Sequence, residues 1–521
     1  MRSNLFLNIT KVCLELILSM VLLLPFASAV EMPRLSEREI LARCYNQLTG
    51  DHLTSKDILW GRLKLESASS ICSKLLDTVQ FDNQGQLTEA NNKIARSTFK
   101  QFIDIHRTWF DQQWAHLNTF PEFLWGAVDI YDPQEPALFL TRNLFLDEPY
   151  ANVLKGSFTA KALRDGSKLI SKLQPEAQGF LRPSRLVRSG LVKEGATINS
   201  TSITYVSTPP FTQNEFQLLA TPIIQMGDPI GIKLVNYSAA PLLPVLWTNV
   251  LSPSVGMLTD GITLPQPLLA NRGGGALGSI PYLMLNWGHG LDYIANGAEK
   301  LPRRYILSVF KNFLCRSGPF VRTSDVAPWK SNITQAPAFR KSEACLRCHT
   351  SLDQAAIVLR NMRLAATTPT DGTDFRSAPV IANYDIDPNL TPKEFWPSTS
   401  DPNFHKTRPE GRLIFRSITG ELVNVSIDNL ESLGHSIAQT PDYYACAAKR
   451  YFEFFTKNKI ILFDPYDPSN EPIIDGMSPT EHEMRSFVLA LGQELQKSGS
   501  LKQLVRRILD SEYYGQGNFG K

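Results

Sequence analysis

Residues 341–356 read KSEACLRCHTSLDQAA, and within them Cys345, Cys348 and His349 form a Cys-x-x-Cys-His motif. No other stretch constrains the chain as strongly. In one helical turn this spacing puts both sulfurs on one side, with the imidazole projecting beside them. Two thiols so placed can reach the two vinyl groups of one porphyrin, and the histidine can reach its iron. The pattern is the attachment sequence of c-type haem. One covalent haem c is therefore the expected cofactor, with Cys345 and Cys348 as its anchors and His349 as the proximal iron ligand. Two rivals use the same residues. A thiol–disulfide exchange centre normally opens a helix in a βαβ setting, which the flanking sequence lacks. A zinc site needs further ligands at ordered spacing, and no second CxxC and no HxxxH occurs.

The N-terminus points to the compartment such a motif needs. Arg2 and Lys11 flank the positive end, LELILSMVLLLPF is apolar, and Ala27 and Ala29 are the small residues of a cleavage site. Residues 1–29 are expected to be a cleaved signal peptide. The competing reading is a membrane anchor, but the apolar run is short and Pro25 breaks it. No cysteine follows the cleavage site, so no lipoprotein anchor is indicated. No later stretch is apolar enough to span a bilayer, so no transmembrane span is expected after cleavage. Six of the seven cysteines remain in the mature chain. Outside the motif, Cys44, Cys72, Cys315 and Cys446 admit three pairings; Cys44–Cys72 and Cys315–Cys446 are the expected disulfides. The net charge of +3 and the absence of a long basic run argue against a nucleic-acid partner.

At 521 residues the chain exceeds one typical core, and its 43% apolar and 20% charged content excludes wholesale disorder. The expected fold is mainly α. A helical N-terminal domain spans 30–190, opening with a capping box at Ser36 and Glu39 and a stripe of Ile40, Leu41, Cys44 and Leu48. Trp109, Phe110 and Trp114 are expected in its core, with His106 and His116 structural. A mixed segment with short strands follows over 191–300, rich in alternating β-branched residues. A helical, cytochrome c-like domain spans 301–521, interrupted by a long Pro/Asp-rich loop over 367–411. Its last helix carries Ser500 and Gln503 at its start and a stripe of Leu501, Leu504, Val505, Ile508 and Leu509.

The sixth iron position has several candidates: Met257, Met284, Met362, His405, His435, Met477, His482, Met484 and His289. The favoured one is His289, because its glycine neighbours in NWGHGLD let a backbone approach a flat ligand. Met362 is placed on the helix leaving the motif, as packing. Arg303 and Arg304 are read as surface residues or as partners of haem propionates. GGGALG at Gly273–Gly278 fits GxGxxG literally but follows no strand, so it reads as a flexible turn and not a phosphate cradle.

In order along the chain come RRYILSVFKNFLCRSGPF, FRKSEACLRCHTSLDQAAIVLRNM, SLGHSIAQTPDYYACAAKRYFEFF and LKQLVRRILDSEYY. This order resembles large exported proteins of some Gram-negative bacteria, built from several domains of unknown function around one CxxCH. The resemblance covers roughly Leu251–Tyr514. It implies cytochrome-like haem binding and a periplasmic or outer-envelope location, without an agreed substrate. Two features depart from it: Asp353-Gln354 stands in place of Asp-Pro after the motif, and the helix after Cys446 lacks its glycine. The leading expectation is electron transfer, with a redox protein or a small electron donor or acceptor as partner. The alternatives are a peroxidase-like oxidoreductase with an open sixth position and an envelope interaction protein with ancillary haem.

Overall fold

The computed structural model of the chain describes residues 34–110, 134–165, 167–169, 191–192, 205–206, 224–226, 228–236, 247–252, 256–257, 262–263, 271–286, 302–330, 340–369, 378–384, 386–391 and 403–516. These residues are mainly helical. The signal segment, Trp114, His116 and the favoured sixth ligand His289 lie outside them.

Helix α1 (Glu37–Thr49) starts at Ser36, whose hydroxyl accepts from the Glu39 N–H while Glu39 accepts in return. Its inner stripe, Leu41, Cys44 and Leu48, is fully buried. Helix α2 (Ala68–Asp77) packs on that stripe, and Cys44 is bonded to Cys72 with Cα atoms 6.1 Å apart. Helices α3 (Lys93–Thr108) and α4 (Glu135–Leu146) complete the layer, with Trp109 and Phe110 buried just beyond α3. His106 is structural, and its tautomer follows from its partners. Thr141 Oγ1 donates to the Ala137 carbonyl (2.9 Å), so it accepts from His106 Nδ1–H (2.7 Å). His106 Nε2 then accepts from the Tyr451 hydroxyl at 2.5 Å. Burial pushes the His106 pKa down to about 3 and keeps the ring neutral.

Strands β1 (Thr159–Arg164) and β2 (Pro229–Val235) pair antiparallel. Next come β3 (Trp247–Ser252), β4 (Gly256–Met257) and β5 (Ile262–Thr263), then α5 (Ile280–Asn286), α6 (Arg303–Phe313) and α7 (Glu343–Ala356). Strands β6 (Met362–Pro369) and β7 (Ala378–Tyr384) follow, then the hairpin β8 (Gly411–Arg416) and β9 (Leu422–Ile427). The chain closes with α8 (Leu430–Ala438), α9 (Pro441–Thr456), α10 (Pro479–Ser498) and α11 (Leu501–Leu509).

Three expectations are corrected here. The stretch 367–411 is not one loop: β6 and β7 pair from Met362↔Asn383 to Thr367↔Ala378. Neither segment alternates cleanly, which hid the hairpin. Met362 consequently starts a strand instead of lying on the motif's helix, which ends at Ala356. The boundaries at 190/191 and 300/301 do not separate cores. Strands β4, β3, β6, β7 and β5 share one antiparallel sheet in that order, so the middle and C-terminal segments interleave. One hydrophobic core likewise runs from Leu41 to Tyr514. Arg43 donates to the carbonyls of Phe455 (2.7 Å) and Tyr514 (3.0 Å), and Tyr514 Oη–H donates to Gln47 Oε1 (2.9 Å). The amphipathic faces of the N-terminal helices are covered by α9 and α11, and that shared burial removes the need for two separate cores.

The glycine turn is structural. Gly274 N–H donates to Glu431 Oε2 (2.6 Å), and Gly156 N–H donates to both Glu431 oxygens (3.1 Å). The nest of amides that resembles a phosphate cradle thus binds the chain's own carboxylate. Gly275, at φ 57°, has no room for a side chain: a Cβ there would lie 2.3 Å from the Val153 carbonyl oxygen.

Candidate functional site

Helix α7 carries the whole motif. Ser342 occupies its N-cap position, Glu343 its first turn, and Leu346, Thr350 and Gln354 turn inward at four-residue spacing and are buried. Leu346 fills a small apolar cluster with Val321, Val326 and Ile414. That burial fixes the helix's rotation. At about 100° per residue, Cys345, Cys348 and His349 then fall within roughly 100° of arc on the outward side. Cys345 is exposed, Cys348 is half-buried, and neither is in a disulfide.

His349 is oriented from the next turn. Its Nδ1 lies 3.1 Å from Asp353 Oδ2, and the Asp353 side chain is fully buried. Asp353 Oδ1 accepts from Arg303 Nε on α6. This is a correction: Arg303 is neither a surface residue nor a propionate partner through that nitrogen, but the counter-ion of a buried carboxylate. Since an ionised carboxylate only accepts, Nδ1 carries the hydrogen, and coordination of a metal falls to Nε2.

Cys348 sits in a cradle. Gly318, at φ 86°, faces its sulfur: a Cβ there would lie 3.2 Å from Sγ and 3.3 Å from the Phe320 ring. The N–H of Phe320 donates to the Arg347 carbonyl at 3.0 Å, so this loop is laid directly on the helix. Burial pushes the Cys348 thiol pKa up, outweighing the pull of Arg347. A dithiol exchange centre needs the opposite shift.

Arginine–aspartate pairs brace the same side. Arg347, between the two cysteines, pairs with Asp467 and donates to Ser469 Oγ (3.0 Å) and the Val321 carbonyl (3.0 Å). Arg322 forks onto Asp464 at 2.6 and 2.8 Å. Arg416 pairs with Asp325 and holds that carboxyl below its ordinary value. The Arg322–Asp464 and Arg416–Asp325 pairs are bidentate, which fixes geometry as well as charge.

Cys315 and Cys446 are bonded, with Cα atoms 5.2 Å apart. Cys315 follows the last turn of α6 in the left-handed region (φ 53°), where the Arg316 N–H reaches back to the Phe310 carbonyl at 3.0 Å. The bridge ties α6, and therefore Arg303, to α9.

The other sequence candidates are dispersed. His435 and His482 are exposed, Met484 is buried in α10, and His405 Nδ1 lies 2.7 Å from the Arg360 carbonyl oxygen. Among the described residues no three His, Cys, Asp or Glu side chains converge as a metal cage. The residues that sequence reasoning missed are Asp353 and Arg303 as a pair. The His349–Asp353 half was visible as an i, i+4 spacing on a helix. The Arg303 half was not, since the partners are 50 residues apart. No family model, curated protein or solved structure shows significant similarity to the chain.

Proposed function

We propose that Cys345 and Cys348 attach one haem c and that His349 ligates its iron, making this an exported one-electron carrier. The observation that carries the proposal is the single outward face shared by the two unbridged thiols and an imidazole fixed through Nδ1. The residues fit the group: Cys345 is exposed and Cys348 half-buried, Gly318 leaves space beside Cys348, and Nε2 would be the coordinating nitrogen. Each thiol would add its sulfur and hydrogen across one vinyl C=C, which breaks the π bond and needs no oxidant. When bound, the haem supplies an iron that alternates between ferric and ferrous states. The chain's own residues orient the imidazole and hold the helix, and a redox protein or small donor exchanges the electron. His289 is the proposed sixth ligand. The two disulfides are compatible with export to the periplasm or outer envelope. Among the described residues no helix is long and apolar enough to cross a membrane.

Expression beside haem c maturation machinery tests the reading. Protein separated under denaturing conditions should keep a haem stain, and Cys345→Ala or Cys348→Ala should weaken or remove it. His349→Ala should disturb the Soret band while the stain remains, because anchoring and ligation use different residues. Colourless wild-type protein refutes the proposal. His289→Ala should convert a low-spin spectrum to high-spin, and an unchanged spectrum excludes His289.

A further inference from the structure

Beyond attachment, and resting on that reading, we infer that Asp353 and Arg303 are positioning residues that set the donor strength of His349, and through it the reduction potential. Asp353 accepts the Nδ1 hydrogen at 3.1 Å from a fully buried position, and its other oxygen accepts from Arg303 Nε of α6. A carboxylate on the far nitrogen draws the proton towards itself and gives the ring imidazolate character. The ring's other nitrogen becomes a stronger donor. A stronger donor stabilises ferric over ferrous iron and lowers the midpoint potential.

Arg303 acts against this. Its guanidinium neutralises Asp353 and shares the carboxylate's electron density, so the imidazole receives less than a lone aspartate would give it. It also permits the carboxylate to be buried at all, since an unpaired charge there is strongly disfavoured. The potential is therefore set by the balance of two side chains, one on the motif's own helix and one on α6. Arg303 opens α6, and the Cys315–Cys446 bridge anchors that helix just beyond its other end.

The pair makes opposite predictions for its two members. Asp353→Asn keeps an acceptor oxygen but loses the charge, so the midpoint rises. Arg303→Gln frees the carboxylate to act on His349 alone, so the midpoint falls. Arg303→Lys keeps the charge and should stay near wild type. The double variant Asp353→Asn/Arg303→Gln leaves local net charge unchanged and buries no unpaired ion. A raised midpoint there comes from the lost carboxylate acceptor and not from bulk charge.

The experiment is a spectroelectrochemical titration of the full-length haem-bearing protein and these variants. Each is first checked for haem stain, and its absorption spectrum is recorded. The expected change in Asp353→Asn and in the double variant is at least tenfold in the ferrous-to-ferric ratio at fixed poise, or about 59 mV upward for a one-electron couple. If either single variant fails to fold, the double variant, which buries no unpaired ion, still decides. A merely structural role would loosen His349 in every variant and move the midpoint in one direction, with high-spin absorption appearing. That result, or a double variant at the wild-type potential, overturns the inference. Wild-type protein without attached haem overturns the underlying attachment proposal instead.

Discussion

The two disulfides close loops of very different length, and that difference makes a sharp test. Cys44–Cys72 spans 28 residues and Cys315–Cys446 spans 131. If a bridge acts by restricting the unfolded chain, its contribution rises with the logarithm of loop length, giving about 3.6 kcal/mol for the short loop and about 5 kcal/mol for the long one. Packing pulls the other way. Cys44 and Cys72 are fully buried, whereas Cys315 is only half-buried, so truncation to alanine removes more core contact from the first pair. The entropic account therefore predicts that Cys315→Ala/Cys446→Ala is the more damaging double variant even though it removes less buried sulfur. The gap should be on the order of 1 kcal/mol. Urea unfolding followed by tryptophan fluorescence, with equal slopes verified, measures both. A larger loss in Cys44→Ala/Cys72→Ala would show that packing governs. No loss in either, with free thiols on titration, would mean that the bridges do not form in solution.

Other outcomes follow from single residues. Gly275→Ala forces a side chain into the left-handed region and against the Val153 carbonyl, and should cost roughly 2–5 kcal/mol by denaturation; a neutral result would mean the turn relocates easily. Gly318→Ala should lower haem attachment as well as stability, by about 1–2 kcal/mol, since its Cβ would crowd Cys348 Sγ; full staining would show that the cradle is dispensable. His106 is held neutral in the fold with its pKa lowered to about 3, whereas the unfolded chain protonates it near 6.5. The unfolded state thus binds more protons between those values, so this contribution is intact above pH 6.5 and falls by about 1.4 kcal/mol per unit as pH drops towards 3. His106→Gln should flatten that slope relative to wild type, and an unchanged slope would assign it to other groups.

Local signals in the sequence were the reliable ones. Ser36 with Glu39, and Ser500 accepting from the Gln503 N–H, mark real helix starts, and the stripes behind them are buried except for Ile40, which is half-buried. An equally clear box at Ser478 and Glu481, opening the long α10, was there to be found and was overlooked. Long-range relations were not legible. The partner of Gly274 is Glu431, 157 residues away, so no local pattern distinguishes a nest filled by a carboxylate from one awaiting a phosphate. The β6–β7 hairpin sits among Pro- and Asp-rich residues that mask its strands, and its sheet is completed by β3, more than a hundred positions upstream. The Cys345, Cys348 and His349 spacing was legible as one face of a helix, and all three do lie on α7 with both thiols unbridged. The support beneath His349 was legible only by half.

Gln354, directly after Asp353, keeps that support intact. A proline after Asp353 would remove an N–H and crowd the carbonyl one turn back, within a helix that here continues to Ala356. With glutamine the helix runs on to Ala356, and Ala355 and Ala356, both fully buried, dock it into the core. Asp353 is then held from both sides, by its own unbroken helix and by Arg303. The constraints run in series: the bridge fixes α6 to α9, α6 presents Arg303, Arg303 holds Asp353, and Asp353 turns the imidazole. Arg347, pinned to Asp467 between the two cysteines, prevents the helix from rolling on that axis. The proposed electron carrier would need a ligand whose position does not change with the charge of its iron. A motif helix clamped at Arg347 and propped at Asp353 would hold the imidazole in one place.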